Sequence, residues 1–99
     1  MLTTEMGHFY ITFENGYTLS AFNGFGSYTE NNTNIEKFKE IMDTKNIYAG
    51  WTSKQVEIAI LYNSKFVTKS VLNIDDDVTT LDINELIEVI NKINNLERL

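Results

Sequence analysis

The sequence predicts a small α+β domain, with an antiparallel four-stranded sheet and two helices in the order β-β-α-β-β-α. Three observations carry this. Apolar and polar residues alternate over 8–13 and meet an Asn-Gly pair. The alternation returns over 54–62. The last third holds an apolar stripe at helical spacing behind a capping box. A chain of 99 residues, 42% hydrophobic and 12% aromatic, fits one domain, residues 1–99, around one core.

Each element follows from its residues. His8, Tyr10 and Thr12 alternate with Phe9, Ile11 and Phe13, so the strand puts the second set inward. Asn15-Gly16 predicts a two-residue type I′ hairpin turn. The return strand is Tyr17 to Phe22, with Leu19 and either Tyr17 or Ala21 inward. Gly24, Gly26, Ser27 and the asparagines that follow predict a structured, self-bonded loop. Thr33 and Glu36 have capping-box spacing, so a helix begins there and runs to about Thr44, with Ile35, Phe38, Ile41 and Met42 on one face. Lys45 to Thr52 is a connection. Lys54 to Tyr62 is the clearest strand, with Val56, Ile58, Ile60 and Tyr62 facing one way. Asn63-Ser64 turns the chain into a fourth strand, Lys65 to Leu72, whose Val67 and Val71 face the core. Asn73 to Val78 is an acidic loop. Asp82 and Glu85 then form a capping box, Leu81 and Leu86 a hydrophobic staple, and Leu86, Val89, Ile90, Ile93 and Leu96 the buried stripe of the last helix.

Composition excludes several functions. There is no cysteine and a single histidine, His8, so Cys/His nucleophilic pairs and multi-histidine metal sites are ruled out. No nucleophile-elbow motif accompanies the serines, and the chain reads as a non-enzyme without cofactor or metal. Gly24-Phe25-Gly26 lacks the remaining residues of a dinucleotide fingerprint or a P-loop. Asp75-Asp76-Asp77 lacks the spacing and glycine of an EF-hand. The first residues form no signal peptide and no apolar run is long enough to span a membrane, so the cytosol is the expected compartment. Frequent Asn, Ile and Lys with one Arg and no Pro is the usage of an AT-rich genome.

The net charge is −6 and unevenly placed. Residues 1–35 carry −3, residues 36–69 carry +2 and residues 70–99 carry −5. Two acidic thirds oppose direct binding of a nucleic-acid backbone and suit a basic protein partner. The surface aromatics suit a protein-binding patch better than base stacking, which needs a basic track.

Two stretches resemble a family of small phage and prophage proteins. They are Phe13-Glu14-Asn15-Gly16-Tyr17-Thr18-Leu19-Ser20 and Gly24-Phe25-Gly26-Ser27-Tyr28-Thr29-Glu30-Asn31. Val56-Glu57-Ile58-Ala59-Ile60, Phe66-Val67-Thr68 and the helix from Leu86 to Ile93 extend the likeness along most of the chain. Asp75-Asp76-Asp77 departs from it, where the family has a Gly- or Trp-containing turn. The resemblance implies a protein of a mobile element, in the host cytoplasm, that binds and inhibits a host nucleic-acid-handling protein, as an anti-CRISPR does. Candidate partner-binding residues are Phe25, Tyr28, Asp75, Asp76, Asp77, Asp82 and Glu85. The alternatives are a small-ligand or nucleotide-binding module built on the Gly24 to Gly26 loop, and a virion or assembly accessory protein.

Overall fold

One strand organises the sheet. In a computed structural model, which describes residues 1–5, 7–44 and 51–99, β4 (Gln55–Tyr62) pairs from Glu57 to Tyr62 with the whole of β3 (Tyr17–Phe22). Beyond β3 lie β2 (His8–Thr12) and β1 (Leu2–Glu5), all antiparallel. The opposite edge of β4 is shared. β5 (Lys65–Phe66) pairs with Leu61 and Tyr62, and β6 (Thr79–Asp82) pairs with Gln55 to Ile58. Among the described residues three helices complete the fold: α1 (Ile35–Thr44), α2 (Thr68–Leu72) and α3 (Ile83–Asn94). The predicted α+β class and antiparallel sheet hold, with six strands among the described residues instead of four, and a third helix.

The core lies between one sheet face and α3. Tyr17, Leu19, Ala21, Val56, Ile58, Ile60 and Leu81 from the sheet meet Leu86, Val89 and Ile93 from the helix. The β3 residues Tyr17, Leu19 and Ala21 are all buried. Phe9, Ile11, Phe13 and Tyr62 pack against the same cluster, as the alternation requires. Each fully buried aliphatic side chain contributes about 1.5–3 kcal/mol, so Leu19, Ile58, Ile60 and Ile93 form its centre. α3 carries the predicted capping box: the Glu85 N–H donates to Asp82 Oδ1 at 2.8 Å, and the Asp82 N–H donates to Glu85 Oε1 at 3.0 Å. The staple residues Leu81 and Leu86 are both in the core.

Four expectations are corrected. The first concerns the hairpin after β2. Its loop has three residues: Phe13 N–H donates to Tyr17 O and Gly16 N–H to Phe13 O. Only Gly16 has positive φ, +95°, so this is a type I turn with a bulge glycine rather than type I′. Asn15 is occupied elsewhere. Its amide donates to Ile93 O at 2.7 Å and Leu96 O at 2.9 Å, closing the carbonyl end of α3. The Arg98 guanidinium donates to Glu14 O at the same junction. The tight turn lies instead at Asn63-Ser64, where both residues have positive φ, 50° and 64°.

The second correction is the fourth strand. Residues 65–72 form the two-residue β5 followed by α2. Val67 and Val71 are four apart, a spacing that shares a face in strand and helix alike, so both pack on the core as expected. Short polar side chains decide for the helix. Ser70 Oγ donates to Val67 O, and Asn73 ends the turn in the left-handed region at φ 56°. Thr68 is completely buried, and its hydroxyl accepts the Ile60 N–H at 2.8 Å. It fills the gap between β5 and β6, where Ala59 and Ile60 of β4 have no strand partner on that edge.

The third correction is the start of α1. Asn34, one residue later than predicted, caps it by accepting the Lys37 N–H through Oδ1 at 3.2 Å. Of the predicted apolar face of α1, Ile35 and Met42 are exposed, and Phe38 makes a tilted ring contact with Phe25 of the preceding loop. The fourth is two strands, β1 and β6, where no strand is expected. Most of the predicted connection from Lys45 onward lies outside the described residues.

Two stability outcomes follow. Thr68→Val keeps the shape but strands the buried Ile60 N–H, so urea unfolding should show a loss of about 1–3 kcal/mol. Ser64→Gly relieves a left-handed backbone and should raise stability by about 1 kcal/mol in the same measurement.

Candidate functional site

The loop from Asn23 to Asn34 is built as a rigid platform. Its buried polar residues bond to their own backbone and to the strap 51–54 that leads into β4. The Asn31 amide donates to Asn23 O at 2.8 Å and Thr52 O at 2.9 Å. The Asn23 amide donates to Ser53 Oγ at 3.0 Å and Trp51 O at 3.3 Å. Ser27 Oγ donates to Gly24 O, and the Asn32 amide donates to Ser27 O. The Glu30 carboxylate accepts the Lys54 N–H. Ser27 and Asn31 are 0% and 6% exposed, so these bonds are made away from water and are hard to replace. Gly7 anchors the other side: its carbonyl accepts the Asn23 N–H, and a Cβ there would fall 2.8 Å from Trp51 Cδ1 and 2.9 Å from Gly24 Cα. The Trp51 indole N–H is buried with no partner among the described residues.

On this platform Tyr28 is held at both ends of its main chain. Its N–H donates to Glu57 Oε1 at 3.2 Å, and its carbonyl accepts from Thr80 Oγ1 at 3.1 Å. The residue is nevertheless 67% exposed. Phe25 is 38% exposed and leans on Phe38, with ring centroids 5.1 Å apart.

The predicted acidic residues flank β6. Asp75, Asp76 and Asp77 are exposed in the loop before it, and Asp82 ends it. Asp82 and Glu85 are committed to the capping box through one oxygen each, so their first task is structural. The contact between Thr80 and Tyr28 therefore brings one aromatic candidate against the strand bordered by these carboxylates. Phe25 is tied to α1 instead.

The same geometry gives no support to a phosphate cradle at Gly24 to Gly26. The Gly26 N–H donates to Asn32 O, the Ser27 N–H to Gly24 O and the Tyr28 N–H to Glu57. Those amides are already used inside the protein. Among the described residues no group of three or more His, Asp or Glu is placed to hold a metal ion. No helix of the described residues is long and apolar enough to cross a membrane.

Sequence reasoning missed a second aromatic group. His8, Tyr10 and Phe22 form a stacked ladder on the sheet face opposite the core. The His8 and Phe22 centroids are 4.0 Å apart and the His8 and Tyr10 centroids 5.5 Å, each pair within 6° of parallel. The period-two pattern had placed His8 and Tyr10 on the outer face. The register that puts Phe22 directly across from His8 was the missing information.

Comparison with known proteins finds no matching family model, no similar curated protein and no similar solved structure.

Proposed function

We propose that this is a protein-interaction module that docks a basic, nucleic-acid-handling protein of its host and blocks it by occupying the basic surface. One observation carries the reading. Tyr28 is two-thirds exposed, yet its backbone is fixed by Glu57 and Thr80 and its loop by buried Asn and Ser bonds. Folding does not require an exposed tyrosine on a rigid mount. Binding benefits from one, because the loss of freedom on association has already been met in the free protein. The exposed Asp75 to Asp77 loop beside β6 and the net charge of −6 select a cationic partner and repel nucleic acid. The phage-like motifs supply the biological setting, interference with a host defence nuclease such as a CRISPR effector, whose nucleic-acid channel is positively charged.

The test is affinity capture from host-cell lysate by the native chain and by Tyr28→Ala. The native chain should retain a basic protein whose recovery falls as salt rises. Tyr28→Ala should lose it while changing unfolding free energy by no more than about 0.5 kcal/mol. Capture that ignores salt, Tyr28→Ala and neutralisation of Asp75 to Asp77 contradicts the reading.

A further inference from the structure

The sheet face opposite the core has a composition that an outward face does not need. Antiparallel sheets with one buried face turn polar residues outward. Here the register places His8, Tyr10 and Thr12 of β2 beside Thr18, Ser20 and Phe22 of β3, then Glu57, Ala59 and Leu61 of β4. Phe66 of β5 lies across from Leu61, and Thr80 of β6 across from Glu57. Thr12 and Thr18 hydroxyls 3.4 Å apart confirm the shared side.

Three features of this face combine. First, it is apolar and aromatic outside the main buried cluster: His8, Tyr10, Phe22 and Leu61 are half-buried, Ala59 between them is buried, and Phe66 is 55% exposed. Second, Ser20 and Ala59 are cross-strand neighbours in the middle row, with larger side chains in the rows on either side, Phe22 and Glu57 on one and Thr18 and Leu61 on the other. The floor is therefore a shallow trough over β3 and β4, closed on the β2 side by Tyr10 of the same row. Third, its charge has one sign. Glu57 and Asp82 stand on this side, and among the described residues no Lys or Arg occupies a position of the face.

We infer that this open face is a docking surface for an arginine-bearing segment of a partner protein. The inference deepens the basic-partner reading above and rests on it. A guanidinium is planar, stays charged, and lies flat on aromatic rings while donating to a carboxylate. The Tyr10, His8 and Phe22 ladder supplies the rings, Glu57 the acceptor through the oxygen that does not hold the Tyr28 N–H, and the short, half-buried Ser20 the room. A lysine ammonium is more strongly hydrated and gains less from such a floor. A single-stranded nucleic acid would find rings to stack on, but an acidic chain repels its phosphates. A second copy of this chain would bring the same negative charge to the same face.

The experiment titrates the full chain with a labelled peptide alternating arginine and serine, with the lysine counterpart, and with a thymidine oligonucleotide, following fluorescence anisotropy at low and moderate salt. The arginine peptide should bind, and more tightly than the lysine peptide. Tyr10→Thr should weaken it by about three- to fivefold. Ser20→Lys, which plants a cation in the trough, should abolish binding while circular dichroism and the melting temperature show the fold retained. The Ser20 variant keeps the test decisive if Tyr10→Thr fails to fold. Absence of arginine-peptide binding, equal affinity for lysine, binding of the oligonucleotide instead, or indifference to Ser20→Lys overturns the inference. If Tyr28→Ala abolishes capture of the natural partner and Ser20→Lys leaves it intact, the basic-partner reading stands and the open face is not its docking site.

Discussion

The buried Asn31 amide is the interaction on which the geometry of the loop bearing Tyr28 depends. Its two N–H groups bridge the carbonyls of Asn23, where β3 ends, and Thr52, where the chain returns toward β4. The excursion between those points includes the loop, α1 and the undescribed connection. It is thus closed at its base by a side chain that is 6% exposed. A buried amide that lost either partner would leave a carbonyl unsatisfied at a cost of about 1–3 kcal/mol. The network therefore holds one geometry. Tyr28 inherits that geometry, because its two main-chain bonds reach across to Glu57 on β4 and Thr80 on β6.

The molecule divides its work by sheet face. One face and α3 form the core, and Asn15 locks the far end of α3 to the first hairpin. The other face and the loop carry aromatic area that the core does not use. The same is true of α1, whose Ile35 and Met42 are exposed although their spacing is that of a packing stripe. A net charge of −6 makes copies of the chain repel one another. In the proposed function the same charge complements a cationic partner.

The strands β2, β3 and β4 and the helix α3 were legible because period and capping agree there: Asp82 with Glu85 specifies one helix start, and Val56, Ile58 and Ile60 one inward face. Other elements were not legible, for physical reasons. Residues 67–72 satisfy both periods at Val67 and Val71, so the choice fell to Thr68, Ser70 and Asn73, whose bonds depend on where β4 lies. Asn15-Gly16 is a strong local turn signal, but the Asn15 side chain is claimed by α3, 78 residues away. β6 reads as a loop until β4 offers it an unpaired edge. Of the candidate site, Phe25, Tyr28 and Asp75 to Asp77 are exposed, the condition that a partner-binding role sets and that the sequence left open for the two aromatics. The convergence of Tyr28 with β6, and the ladder of His8, Tyr10 and Phe22, arise from long-range register that no local pattern encodes.

The central claim is that the loop bearing Tyr28 is fixed before any partner arrives. Native-state hydrogen exchange on the free protein tests it most directly. The account predicts that the amides of Gly26, Ser27, Tyr28 and Asn32, each hydrogen-bonded within the fold, exchange far more slowly than an unstructured loop, with protection approaching that of β3 and β4. Exchange of those four amides at the rate of an open chain, while the sheet stays protected, would contradict it.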